Sequence, residues 1–372
     1  MNILITGATG FIGSNLFTRL EELDENYNIM MYNRDNPDSV LEACIAQADI
    51  IYHLAGVNRS KRIEDFYDVN AELTKKITDI IEKLGTHPTL IFSSSTQAVD
   101  KISSDYALSK WYAENIIKKY NERTGNPIAI YRLPNVFGKW SKPNYNTVVA
   151  TFCYNVAHGI PLTVNEPDKE ISFVYIDDVV EEFMRYVGGY NPLDNKQIPF
   201  YPVINISSGG LAYHIKEIAD VRKTGRVLPL TNPLIKYLSS MYLTYLDKNE
   251  LIYSMDKHED DRGYLCEIMK SPYAGQIFMS TTKPGITRGN HYHHTKTEKF
   301  IVLKGTGQIK LMDIRTLEVF DFIVHGDSCR VVDIPPGYSH SITNIGQDNL
   351  ITLFWSNEVF NPDKPDTYKM EI

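Results

Sequence analysis

Two groups of residues in this chain have types and spacings that could do chemistry. Residues 2–13 read NILITGATGFIG, a short apolar run entering Gly7-x-x-Gly10-x-x-Gly13, with Phe11 and Ile12 before the third glycine. Glycines at this spacing let a strand turn tightly into a helix whose first amides face an anion, so a pyrophosphate can be cradled there. The amphipathic run SNLFTRLEEL that follows makes this a dinucleotide site rather than only a tight turn. Further along stand Gly285, His291, His293, Glu298 and Gly305, then Pro335-x-Gly337-x-x-His340-x-x-x-Asn344. His291 and His293 alternate on one strand and should point to one side. Glu298 on or near the returning strand and His340 from a separate hairpin complete three imidazoles and one carboxylate. Such a set suits zinc, iron, manganese, nickel or copper. A lone histidine is more often structural, as His294 and His325 are read here; four ligand-type residues at set spacing in β-rich sequence are a different case.

A third group lies between them. Tyr106-x-x-x-Lys110 places two side chains on one helix face. An ammonium beside a phenol favours phenolate and lowers its pKa toward the working range. Such a tyrosine can hand a proton to a carbonyl oxygen while hydride reaches the carbon. With 24 tyrosines in the chain the spacing alone is weak, but Ser93-Ser94-Ser95 at the end of the preceding strand offers a hydroxyl for the same oxygen. The second strand ends Tyr32-Asn33-Arg34. Arg34 could pair with a 2′-phosphate, which favours NADPH. Asp35 beside it is the residue that argues for NAD, and a solvated surface arginine is the plain alternative.

These residues need elements to hold them. Candidate strands are NILIT, NIMMY (28–32), DIIYHLA (49–55), TLIFSSS (89–95) and IAIYRL (128–133), separated by helical stretches such as 71–84. Alternating strands and helices imply an α/β Rossmann-like, doubly wound parallel sheet. Residues 190–202 read as a loop, and helical patches at 211–223 and 234–246 complete the first domain. After about residue 250 helical periodicity gives way to short β-rich runs: GQIFMSTT, KFIVLKG, GQIKLMDI, EVFDFIV, RVVDIP and LITLFW. That pattern suits an all-β barrel or sandwich. The domains are expected at 1–249 and 250–372. A length of 372 residues allows two cores. The net charge of −8 argues against a nucleic-acid partner. No apolar run is long enough for membrane insertion. Met1 leads straight into the first strand, and Cys44, Cys153, Cys266 and Cys329 are dispersed. Reduced thiols in a cytoplasmic protein are therefore expected.

The first part of the chain resembles the extended short-chain dehydrogenase/reductases, through TGATGFIG, His53-Leu54-Ala55-Gly56, Asn70 in DVN, the FSSS strand end, Tyr106/Lys110 and Arg132-Leu-Pro134-Asn135-Val-Phe-Gly138. The resemblance implies a catalytic group of Ser95, Tyr106 and Lys110, with Ser94 the second choice for the serine. It also places Leu54, Ala55 and Gly56 at the cofactor and Asn135 at a nucleotide-sugar substrate. The interval from Ser95 to Tyr106 is short for an extended member, so the substrate loop there is trimmed. The second part resembles the cupins, jelly-roll barrels whose two motifs match Gly285–Gly305 and Pro335–Asn344, without the usual glycine five residues before the proline.

The full arrangement is similar to the CapF-type family of bifunctional capsular-polysaccharide and O-antigen enzymes. HLAGVNR (53–59), residues 137–157, DDRGYLCEIMKSP (260–272), residues 283–300 and NPDKPDTY (361–368) carry that similarity. It implies a UDP-4-keto-6-deoxy-N-acetylhexosamine substrate, C3 epimerisation in a zinc-bearing cupin, C4 reduction with NADPH, and a homodimer. Two other functions fit the residues: a reductase whose cupin is only a metal-stabilised dimerisation module, and an NADPH-sensing regulator on an inactive reductase fold. The intact Ser95, Tyr106 and Lys110 argue against the regulator.

Overall fold

The apolar runs of the first half form strands because β-branched and aromatic residues alternate with little polar interruption. They are β1 (Asn2–Thr6), β2 (Asn28–Tyr32), β3 (Ile50–His53), β4 (Thr89–Ser95) and β5 (Ile128–Leu133) in a computed structural model that describes residues 1–23, 27–98, 104–190, 197–198, 200 and 202–372. Four shorter strands follow: β6 (Asn135–Phe137), β7 (Glu170–Tyr175), β8 (Gln197–Ile198) and β9 (Ile204–Ser207). One sheet has the order β2-β1-β3-β4-β5-β8 with every neighbouring pair parallel; β6, β7 and β9 make a small second sheet. The order reverses between β1 and β3, and an open α/β sheet binds its ligand beyond the carboxyl ends of the strands at such a switch point. Most of the expected loop at 190–202, and residues 99–103 of the interval before Tyr106, lie outside the described residues.

The helices of this half are α1 (Phe11–Glu21), α2 (Asp38–Ile45), α3 (Glu64–Tyr67), α4 (Leu73–Leu84), α5 (Asp105–Thr124), α6 (Val148–Ala157), α7 (Ile176–Val187), α8 (Ser208–Thr224) and α9 (Pro233–Leu243). Helix α5 starts where Ser104 Oγ accepts the Ala107 N–H at 3.1 Å, and it stops at Gly125, φ +70°. Helix α4 begins two residues later than its expected start at 71, because Asp68–Glu72 forms a π-helical turn. Leu4, Ile51, Leu90, Phe92 and Ile130 from the sheet pack with Ile77, Ile81, Ile117 and Tyr120 from α4 and α5.

The β-rich second half contains β10 (Lys257–Asp260), β11 (Gly263–Ser271), β12 (Gly275–Thr282), β13 (Thr287–Tyr292), β14 (Glu298–Lys304), β15 (Thr306–Asp313), β16 (Val319–His325), β17 (Val331–Ile334), β18 (Tyr338–Asn344), β19 (Leu350–Ser356) and β20 (Tyr368–Lys369). They form two antiparallel sheets, β10-β11-β12-β19-β14-β17 and β16-β15-β18-β13-β20, as expected of a jelly roll. Phe300, Val302 and Phe354 of one sheet meet Ile309, Leu311 and Ile342 of the other in a shared core. Gly326, offset from the usual motif position, packs where an added Cβ would lie 2.6 Å from Lys304 Cα.

The chain divides into two compact units, Met1–Ile215 with Tyr237–Leu246, and Lys216–Lys236 with Asp247–Ile372. All four cysteines are free: Cys153 and Cys266 are buried, Cys44 is half-buried and Cys329 is exposed. No described helix is long and apolar enough to cross a membrane.

One buried ion pair locks the end of β4. Glu114 of α5 is fully buried, and Arg132 of β5 grips it with two hydrogen bonds of 2.8 Å. Burial pushes the Glu114 carboxyl up, but Arg132, Ser94 and Lys118 more than offset it, so its pKa lies below the ordinary value. Its stabilisation is therefore complete above the usual glutamate range and is lost as pH falls through the depressed value. Arg132→Met removes the bidentate partner of a buried carboxylate and should lower the unfolding free energy by roughly 3 kcal/mol at neutral pH. Urea melts would measure this, and the deficit should shrink in acid.

Candidate active site and metal centre

Gly7 leaves β1 at φ +72°, a left-handed conformation open to glycine, with its N–H on the Tyr32 carbonyl at 3.0 Å. A Cβ added to Gly7 would lie 2.7 Å from the Ala55 backbone, and one on Gly13 2.2 Å from the Gly7 oxygen. Gly10 precedes α1 without a side-chain cap, so the first amides of the helix are left for an anion. The facing loop is held by Asn70, whose Oδ1 accepts Val57 N–H at 2.9 Å and whose Nδ2 donates to the Val57 carbonyl and to Ser109 Oγ, both at 3.0 Å. Asn70 stands in the π-helical turn, which aims it inward. Ala55 N–H donates to Thr6 Oγ1 at 3.3 Å.

The three serines at the end of β4 separate by strand alternation. Ser94 Oγ donates to Glu114 Oε1 at 2.6 Å and is engaged in the buried ion pair. Ser95 Oγ accepts the Gln97 N–H at 3.2 Å and acts on the Tyr106 phenol to lower its pKa, whereas Ser94 is taken up by Glu114. Lys110 is buried, donates to the Ser93 carbonyl at 2.9 Å and lies 4.7 Å from the Phe92 ring centroid. Burial draws its pKa down to about 8, with Glu114 opposing. The expected lowering of the Tyr106 phenol is not found: burial pushes it up, with only Ser95 opposing. The Lys110 ammonium is turned to a backbone carbonyl instead, a partner that residue spacing cannot reveal.

A cavity of about 440 Å³ joins these groups. Gly7, Gly10, Phe11, Ile12, Gly13, Leu54, Gly56, Ser95, Tyr106, Lys110 and Asn135 line it. An added Cβ on Gly56 would come within 3.0 Å of Lys110 Nζ. Ala55 lies behind the wall against Gly7, and Arg34 is exposed on the turn after β2, outside the cavity lining. Asn70, Glu114 and Arg132 support the site, though residue types and spacing gave them no role there; Asn70 and Arg132 stood only within family motifs.

The second site lies in the all-β unit. One nitrogen or oxygen from each of His291, His293, Glu298 and His340 lies within 4.8 Å of the others. A bulge between Gly289 and His291 breaks the expected strand alternation, and β13 ends before His293, yet the two rings remain 5.0 Å apart. Glu298 opens β14, and His340 sits in β18. The Gly337 turn ties the pieces together, its N–H on the His293 carbonyl at 2.8 Å. His293 Nδ1 faces the Asp366 carbonyl, and His340 Nδ1 faces the Tyr338 carbonyl at 3.3 Å. Each Nδ1 therefore donates to a carbonyl, and each Nε2 faces inward toward Glu298.

Glu298 Oε2 lies 3.6 Å from His293 Nε2 and 3.3 Å from His340 Nε2, yet both nitrogens are buried without a hydrogen bond of good geometry. Burial pushes Glu298 up, but the two imidazoles hold it down at about 2; burial and the neighbouring imidazoles lower His291 to about 4. Three imidazoles converging on a carboxylate, two of them with buried nitrogens that lack a hydrogen bond, fit a divalent cation.

A model of the NAD-dependent epimerase/dehydratase family matches residues 3–198, and one of the polysaccharide biosynthesis C-terminal domain matches residues 258–368. The chain is 39% identical to the UDP-2-acetamido-2,6-beta-L-arabino-hexul-4-ose reductase of Pseudomonas aeruginosa, over 100% of this chain and 99% of that protein. The capsular polysaccharide assembling protein CapF of Staphylococcus aureus is 39% identical, with a TM-score of 0.92 over 100% of both chains. UDP-glucuronic acid 4-epimerase from Bacillus cereus is 18% identical with a TM-score of 0.56 over 68% of this chain and 99% of that one, a likeness of fold.

The glycine cradle is open to a direct test. Gly13→Ala forces a backbone shift around Gly7, and overpacking of about 1–3 kcal/mol should weaken reduced nicotinamide binding by roughly 5- to 100-fold. Fluorescence titration of the bound nicotinamide reads the change. Gly10→Ala, whose added Cβ meets the Gly7 oxygen at 3.1 Å, should do less.

Proposed function

This chain belongs to the NAD-dependent epimerase/dehydratase family, and from that premise we propose that it is a bifunctional nucleotide-sugar enzyme. Residues 250–372 epimerise C3 of UDP-2-acetamido-2,6-dideoxy-β-L-arabino-hexos-4-ulose. Residues 1–249 then reduce the C4 ketone with NADPH to UDP-2-acetamido-2,6-dideoxy-β-L-talose, on the route to UDP-N-acetyl-L-fucosamine for a capsule or O-antigen. The enzyme works in the cytoplasm as a homodimer. The observation that carries this reading is end-to-end similarity to a reductase of a UDP-4-keto sugar in a chain that also builds a three-histidine, one-carboxylate cage.

The order of the steps follows from acidity. A proton at C3 can leave only while C4 is a ketone, so epimerisation precedes reduction. His291, His293, Glu298 and His340 hold the cation, with zinc the choice for this donor set. A divalent cation supplies positive charge against the negative charge that builds on a carbonyl oxygen when the neighbouring carbon loses its proton.

In the reductase half, hydride is what the nicotinamide supplies. Ser95 Oγ and Tyr106 Oη hold the C4 oxygen, and Tyr106 gives its proton to that oxygen. A phenol raised by burial keeps that proton until it is needed. Lys110, one turn along α5 and held on the Ser93 carbonyl, keeps positive charge in the same cavity, its pKa near 8 leaving most of it charged at neutral pH. Asn135 on the cavity wall contacts the sugar nucleotide, and Arg34 answers the 2′-phosphate of NADPH.

Incubation of the UDP-4-keto sugar with NADPH in deuterated buffer, followed by product NMR, tests the assignment. Wild-type product should carry deuterium at C3. Tyr106→Phe should slow NADPH oxidation by roughly 10²–10⁴-fold while C3 exchange continues. His291→Ala should stop the exchange yet still reduce a ketone already inverted at C3. Wild-type product without deuterium at C3 would remove the epimerase from the proposal.

A further inference from the structure

The run NPDKPDTY stands in the sequence with no chemistry of its own, yet it lies against the metal cage. Asp366 adopts φ +41°, a conformation that costs energy for any residue with a Cβ. Its carboxylate accepts the backbone N–H groups of His294 (3.0 Å), Thr295 (2.9 Å) and Lys296 (3.0 Å), and the Thr295 hydroxyl at 3.0 Å. Its carbonyl accepts the Nδ1 proton of His293. One residue therefore fixes an imidazole and also the chain that leads from that imidazole to Glu298.

Neighbouring residues add to the grip. The Pro365 carbonyl accepts Lys296 Nζ at 3.0 Å. Lys369 and Tyr368 pair with His291 and Tyr292 as strand β20 beside β13. The Tyr368 ring lies 5.3 Å from that of Tyr292 and 4.7 Å from that of His294. Met370 N–H donates to the Asn290 carbonyl at 3.0 Å, and its own carbonyl accepts the hydroxyl of Ser339, the residue before His340. The segment thus pairs with one ligand, bonds a second directly and holds the neighbour of a third.

We propose that residues 358–370 form a strap that orders the cage for its cation, with Asp366 as the positioning residue. Asp366 aims His293 Nε2 inward and keeps the 294–296 turn folded, so that His293 and Glu298 reach one ion together. Groups behind a ligand set its orientation, and their loss typically weakens metal binding by about 10–100-fold. The inference rests on the reading that the barrel holds a divalent cation.

The full chain, stripped of metal, is titrated with Zn²⁺ against a competing chromophoric chelator, and separately with Co²⁺ to record the visible d–d bands of the bound ion. Asp366→Asn keeps the size of the side chain but turns an amide toward three N–H groups. It should bind Zn²⁺ about 10–100-fold more weakly and shift the Co²⁺ bands. Asp49→Asn removes a carboxylate cap from the Asn2 amide, 2.7 Å away in the α/β unit, and should leave both readouts as in wild type. If Asp366→Asn fails to fold, Lys296→Met takes its place: weaker Zn²⁺ binding supports the strap, and wild-type affinity overturns it. A folded Asp366→Asn protein with wild-type affinity and bands overturns the strap alone. Absence of Zn²⁺ uptake by wild type would bring down the cation reading and the strap together.

Discussion

Taking a charge out of water is the constraint that shapes both sites. Lys110, Glu114 and Glu298 are all nearly or fully buried, and each is compensated close by. Lys110 has the Ser93 carbonyl, Glu114 has Arg132 and Ser94, and Glu298 has two imidazoles. A buried charge without such partners costs several kcal/mol. The surrounding strands and helices must therefore bring the partners to it, and the positions of β4, β5 and α5, or of β13, β14 and β18, follow from that demand. The same desolvation makes these groups chemically useful, because a fixed charge in a dry pocket acts more strongly on a substrate than one in water.

The two sites solve the problem differently. In the α/β unit the partners are close in the sheet: Ser93, Ser94 and Ser95 lie on one strand, and alternation sends them to different tasks. All three line the cavity, but Ser94 is also bonded to the buried Glu114. In the β unit the partners are far apart in sequence, and turns with glycine at positive φ, such as Gly337, bring them together. Compensation there stays incomplete, since two buried imidazole nitrogens lack a hydrogen bond. A donor set left short of partners is chemically open, whereas the Glu114 pair is closed.

Much of this was legible in the chain itself, for physical reasons that differ by element. Strands β1, β3, β4 and β5 show as apolar runs because a parallel sheet buries both faces. The glycine cradle shows because only glycine tolerates backbone approaches such as those at Gly7 and Gly13. The histidine–carboxylate cluster shows because four ligand-type residues at that spacing are rare together. Other features left no local trace. Strands β10 and β20 are short and polar, with exposed side chains, so no pattern marks them. The direction of the Tyr106 shift depends on burial and on where Lys110 points, neither of which follows from a four-residue spacing. Asp366 is about seventy residues from the amides it caps, at 294–296, and an aspartate among prolines reads as an ordinary turn.

The position of the strap also matters while the chain is being made. Ribosomes deliver His291, His293, Glu298 and His340 first, and residues 358–370 only afterward. A nascent barrel therefore displays all of its donor atoms before it owns the fastening that aligns them. A message ending between codons 357 and 364 would encode both motifs and the strands that carry them, yet lack the residues that bond His293 and pair with His291. The alignment of these donors thus waits on residues that follow them in the chain.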